Sequence, residues 1–150
     1  MKNLISEVGE QVFTNILGDH SLYLISVLAC NDQKIMELNY DFRGKKEVTN
    51  ILSWPNHFCT SPAAGSLPTY PPKSKYLNNV TELGDIAISY QQCLQESKDL
   101  EKDFLHHLTH LIIHSCLHLL GYDHDNDLNA KLMESVEVKL LARNGLENPY

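Results

Sequence analysis

The sequence contains no apolar run long enough to cross a bilayer. Its longest, Leu22 to Cys30, falls well short of the roughly 20 residues that a spanning helix needs. The first residues, Met1-Lys2-Asn3-Leu4-Ile5-Ser6-Glu7, lack the apolar core of a secretory signal, so the expectation is a cytoplasmic protein with no membrane partner. None of the four cysteines, Cys30, Cys59, Cys93 and Cys116, belongs to a C-x-x-C pair, which leaves free thiols in a reducing compartment as the simplest reading. Internal repeats and low-complexity tracts are missing as well. Basic residues are scarce: 12 Lys and Arg against 19 Asp and Glu give a net charge of −7. That balance argues against non-specific nucleic-acid binding, which depends on neutralising phosphates. A bound cation or a local basic patch would override it.

What is present fits one domain. A chain of 150 residues, 43% hydrophobic and 21% charged, lies in the ordinary globular range. At that length folding removes about two-thirds of the unfolded chain's surface from water. Ile5, Val8, Val12, Phe13 and Ile16 recur with a 3.6-residue period and predict a helix over 5–17, stopped at Gly18. Residues 21–29 predict a buried strand. A second helix, capped by Asn31 or Asp32, runs through Leu38 and Asn39 to Gly44, and a second strand over 48–54 ends at Pro55. From about 55 to 83 the composition changes: Pro55, Pro62, Pro68, Pro71 and Pro72 are five of the six prolines. This segment is expected to be a long, mobile loop. His57 and Cys59 within it read as surface-loop residues. A third strand over 84–89 follows, with Ile86 and Ile88 on one face. A short helix over 90–96 leads to a long helix over 99–120, whose start carries Asp99, Glu101 and Asp103 at the positive end of the dipole. A final helix over 128–143 has Leu132, Met133, Val136, Leu140 and Leu141 as its core stripe, and the last residues are expected to fray.

The chemistry concentrates in His114-Ser115-Cys116-Leu117-His118-Leu119-Leu120-Gly121-Tyr122-Asp123-His124. On a helix, His114 and His118 share one face and can aim their imidazoles at a single ion. Gly121 can take positive φ, end the helix in a left-handed cap and turn the chain back so that His124 becomes a third ligand. Three protein ligands leave the fourth position of a tetrahedral zinc open for water or substrate, the pattern of a catalytic site. Eight histidines occur in the chain; at that frequency, three at these two offsets arise by accident only roughly 0.02 times. The competing account is an amphipathic core helix whose apolar face is Leu111, Ile112, Leu117, Leu119 and Leu120, but it gives Gly121 and His124 no task. Cys116 points about 200° away from His114 and reads as a buried core thiol. His106 and His110 extend the i, i+4 ladder upstream, and these two and His107 are expected to face solvent or to support the ligands.

The motif resembles the signature of the YbeY family of bacterial endoribonucleases, similar to H-G-x-L-H-L-x-G-Y-D-H, departing from it at Ser115. The resemblance extends to Leu38-Asn39-Tyr40-Asp41-Phe42-Arg43-Gly44-Lys45, to Thr49-Asn50-Ile51-Leu52-Ser53-Trp54-Pro55 and to Gly84-Asp85-Ile86-Ala87-Ile88-Ser89, and so covers most of the chain in order. The proline-rich segment is longer than is typical of the family. The resemblance implies an α+β, zincin-like single domain, with a small mixed sheet packed with helices and a metal site at the end of a long helix. It also implies one Zn2+ held by His114, His118 and His124, a functional arginine at Arg43, and single-strand-specific cleavage of RNA. The implied setting is 3′-end maturation of small-subunit (16S) rRNA and ribosome quality control, with the ribosome or ribosomal proteins as partners.

The residues are compatible with that chemistry. Zinc brings the water it binds to a pKa of about 7 and polarises a phosphoryl oxygen. The planar fork of an arginine binds phosphate oxygens in pairs and steadies charge in the transition state. A helix-terminal charge favoured by the dipole is the plainer account of Arg43. The glutamate that serves as general base in H-E-x-x-H peptidases is replaced by Ser115, which cannot take its role. Asp85 or Asp123 acting through water could stand in. Lys45, Lys46, Lys73, Lys75, Lys98 and Lys102 are candidate phosphate contacts. Two alternatives stay open at this level: a metallopeptidase-like hydrolase, and a non-catalytic ribosome assembly factor stabilised by zinc.

Overall fold

A computed structural model describes residues 1–74 and 79–150; Lys75 lies outside the described residues. Helix α1 spans Lys2–Leu17 and ends at Gly18, whose φ of 85° forms the expected left-handed cap. A single 3-10 turn, His20–Leu22, leads into strand β1, Tyr23–Cys30, and helix α2 then covers Asp32–Arg43. Strands β2, Ile51–Pro55, and β3, Thr81–Ser89, follow. Helices α3, Tyr90–Asp99, α4, Phe104–Leu119, and α5, Asp127–Arg143, complete the chain.

The three strands form one mixed sheet in the order β1-β3-β2, with β1 parallel and β2 antiparallel to the central β3. Successive side chains of a strand alternate between faces. Ile86 and Ile88 therefore point together into the core with Leu83, Val12, Leu108, Ile112 and Met133. The outer face receives α2, where the Phe42 and Trp54 rings lie 4.8 Å apart and Ile35 is fully buried. β1 is an edge strand, so Leu24 and Leu28 stay exposed rather than buried as its apolar sequence predicts. β3 carries a register shift opposite Leu24 and Ile25. There Gly84 has φ +146°, and an added Cβ would fall 2.1 Å from the Trp54 carbonyl oxygen, so glycine is what lets β2 approach β3.

The predicted helix over 99–120 is divided. Asp99 closes α3, Glu101 takes φ 52°, and the Asp103 carboxylate accepts hydrogen bonds from the Leu105 and His106 amides. Of the three acids expected in one first turn, Asp103 alone caps α4, because its short side chain reaches the free amides and terminates the helix behind it. The proline-rich segment makes specific ties that its composition does not predict. Its described part is fastened by the Tyr70–Tyr122 hydroxyl pair at 2.8 Å, by the Gly65 amide on Asn129 at 2.7 Å and by the Thr69 amide on the Thr60 carbonyl at 3.1 Å. The last residues do not simply fray, since the Tyr150 hydroxyl reaches Glu137 on α5.

Candidate metal centre

α4 holds His114 and His118 one turn apart at its C-terminal end. The helix closes with the Gly121 amide on the His118 carbonyl at 3.0 Å and the Tyr122 amide on the Leu117 carbonyl at 3.1 Å. That pair of bonds is a Schellman closure, which requires a left-handed residue at the turn. Gly121 supplies it with φ +92°; an added Cβ would also meet Cys59 Cβ and its carbonyl oxygen at 2.7 Å. The chain reverses and delivers His124. One potential ligand atom from each of His114, His118 and His124 lies within 4.8 Å of the others.

The rings are already oriented for an ion. His114 Nδ1 meets Glu137 Oε1 at 2.6 Å, and His118 Nδ1 meets the Tyr122 carbonyl oxygen at 3.0 Å. With those nitrogens engaged as donors, each Nε2 presents a lone pair, and the two Nε2 atoms stand 3.0 Å apart. Tetrahedral zinc at its usual nitrogen distances would hold them about 3.3 Å apart, so a small adjustment accommodates it. An imidazole that binds metal through one nitrogen and gives its other proton to a carboxylate or carbonyl is the usual outer support of such sites. Burial, with the neighbouring His114 and His124 acting in the same direction, pushes His118 down to about 4, which keeps it neutral and able to ligate at neutral pH. The donor set therefore fits a divalent, nitrogen-preferring ion.

Glu137 is the functional residue that the sequence reading missed. Its side chain is fully buried on α5 beside Met133, Leu140 and Leu141. Burial alone would raise its pKa, but hydrogen bonds from His110, His114 and Tyr150 outweigh burial and hold it at about 2. The signal was available: position 137 follows Met133 by one turn, so an acid interrupts an apolar stripe, and a buried carboxylate needs a partner.

The other candidates divide. Arg43 lies in the last turn of α2 and lines the same cleft as the three histidines, about 680 Å³ in volume, together with Asn50, Phe58 and Asp123. Its guanidinium has no hydrogen bond or ion pair among the described residues. Asp85 does not reach this cleft, because alternation along β3 turns it to the other face of the sheet, where it lines a groove with Trp54 and Phe42. Asp123 stays in the cleft, and its Oδ1 accepts the His124 amide at 2.8 Å. His110 supports the site through Glu137 Oε2 at 3.6 Å, and His106 is exposed. His107 does neither: it is buried with Nε2 2.9 Å from Glu96, which also accepts from Asn50 at 2.8 Å. Cys116 is buried as expected. Lys45, Lys46, Lys73, Lys98 and Lys102 are exposed, and none of them lines the histidine cleft. Among the described residues, no helix is long and apolar enough to cross a membrane.

Comparison with known proteins extends the geometry. A family model described as Endoribonuclease YbeY matches residues 1–145. A protein from Jannaschia sp. named Endoribonuclease YbeY is 40% identical over 138 residues, covering 91% of this chain and 82% of the relative. One of the same name from Ruegeria pomeroyi is 42% identical over 132 residues, covering 88% and 79%. In fold, the chain resembles a Thermotoga maritima protein whose structure was solved in solution, with a TM-score of 0.56 at 24% identity, over 93% of this chain and 80% of the other.

Proposed function

The chain belongs to the YbeY family, and from that premise we propose that it is a zinc-dependent endoribonuclease that cuts single-stranded RNA. The observation that carries the reading is one cleft lined by three convergent imidazoles and by Arg43, whose guanidinium is unpaired among the described residues. His114, His118 and His124 would hold the zinc ion. When bound, the ion supplies an activated water and an electrophile for a phosphoryl oxygen.

The chain's own residues do the rest. Arg43 grips the non-bridging oxygens of the scissile phosphate and steadies the charge that gathers on them. Of Asp85 and Asp123, only Asp123 lines the cleft, so it is the one placed to take a proton there. Phe58, 97% exposed where it lines the cleft, offers a ring on which an unpaired base can stack, and this favours a single strand over a duplex. The acidic chain has few cations near the cleft, which fits delivery of the substrate by a ribosomal particle. The cellular task is 3′-end maturation of small-subunit rRNA in the cytoplasm, together with ribosome quality control.

The test is cleavage of a small-subunit rRNA precursor, free and within ribosomal particles, by zinc-loaded protein with and without a chelator. Cleavage in an unpaired segment that the chelator stops and zinc restores is expected. No metal-dependent cleavage in either format would remove the nuclease reading and put a non-catalytic, zinc-stabilised assembly factor in its place.

A further inference from the structure

The buried carboxylate of Glu137 uses its two oxygens differently. Oε1 takes the His114 imidazole at 2.6 Å, whereas Oε2 accepts the Tyr150 hydroxyl and faces His110 Nε2 at 3.6 Å. Tyr150 itself is 59% exposed, so burial of its ring is a weak reason for it to fold back onto α5. The hydroxyl is the part that makes the specific contact. His110 guides it: the two rings meet edge to face with centroids 5.8 Å apart, and His110 Nε2 lies 3.4 Å from the hydroxyl oxygen. Burial and the adjacent Glu137 carboxylate both push the phenol's pKa up, so at neutral pH it remains a donor.

The terminal torsion of a glutamate is broad, and a buried carboxylate oxygen without a partner carries a desolvation cost. If Oε2 lost its donor, the carboxylate would be free to rotate and share Oε1 among the remaining groups, loosening the contact that orients His114. We infer that Tyr150 is a positioning residue of the metal centre: through Glu137 it fixes the ring of His114 and so sets how tightly the site holds its ion. The inference rests on the reading of the three histidines as metal ligands. It extends the site from the motif around α4 to a residue 26 positions beyond His124.

The test compares Tyr150→Phe and Glu137→Gln with the wild-type chain, measuring zinc affinity by chelator competition, the visible spectrum of the Co2+-loaded protein and the melting temperature without metal. Loss of an outer partner of a ligating histidine typically costs 10–100-fold in affinity, so Glu137→Gln should fall in that range and Tyr150→Phe near about tenfold. The Co2+ spectrum should change in both, and the metal-free melting temperature of Tyr150→Phe should fall by only about 2–4 °C, the size expected for one lost hydrogen bond in a chain of this length. Wild-type affinity and spectrum in Tyr150→Phe, beside a weakened Glu137→Gln, would overturn the inference and leave the metal centre standing. A wild-type chain that takes up no zinc would remove the metal reading itself.

Discussion

One wall of the cleft comes from consecutive residues of α4 and the turn after it, the other from the end of α2, strand β2 and the segment beyond Pro55. On the histidine wall His114 and His118 are half-buried, and each has a partner for its Nδ1, Glu137 for His114 and the Tyr122 carbonyl for His118, whereas His124 is exposed. The opposite wall presents Arg43, whose guanidinium is unpaired among the described residues, and a bare ring at Phe58. The difference fits a division of labour under the proposed function. Holding an ion would demand directions fixed in advance, which the hydrogen bonds of that wall supply. Gripping a strand would demand groups still free to bind, and among the described residues the other wall has them.

Removing a ligand should collapse the first wall's function altogether. His118→Ala is expected to lose bound zinc and all detectable cleavage together, measured by metal content and by assay on one rRNA precursor; retained stoichiometric zinc would break the assignment. Arg43→Ala should instead keep its zinc and lose about 10²–10³-fold in kcat, the usual loss when a charge-stabilising donor is removed. If zinc is lost as well, the two walls are not independent. Phe58→Ala should weaken binding of a single-stranded oligonucleotide by roughly 5–150-fold, corresponding to about 1–3 kcal/mol of stacking. Binding that does not change would show that the ring is only exposed, not used.

Two smaller probes sharpen the contrast. Cys116 lies between His114 and His118 in the chain but on the core face of α4, where burial pushes its thiol up to about 12; burial and nearby Glu96 do the same for Cys93. At pH 8 a thiolate-directed reagent should therefore label Cys30 and Cys59 in the native protein and all four thiols only after unfolding, read by mass spectrometry. Native labelling of Cys116 would mean that the core behind α4 opens. Finally, Ser115 has a buried hydroxyl with no partner among the described residues. Ser115→Ala should raise stability by about 1 kcal/mol in a denaturation experiment, since it removes an unsatisfied group and improves helix propensity. A loss of stability would reveal a partner for that hydroxyl.

The histidine wall was legible in the sequence because its geometry is local. Helical spacing joins His114 to His118, and a glycine that must take positive φ returns the chain to His124. The same local logic found the caps at Gly18 and Gly44 and the central strand with Ile86 and Ile88. It failed at the start of α4, which it placed at Asp99 and which begins only after the Asp103 cap, and it could not see the ties of the proline-rich segment. The tie of Tyr70 to Tyr122 joins residues 52 positions apart, so composition alone cannot reveal it.

By itself, then, the sequence determined the ion-binding motif, the helices and strands with clear periodicity, and the family, since each depends on residue types at short separation. Tertiary structure alone decided that Arg43 lines the cleft of the histidines, that Asp85 does not, and that Glu137 and Tyr150 stand behind His114. Those relations are set by how α2, β3 and α5 pack around one core, and packing brings together residues whose distance along the chain carries no information about their distance in space.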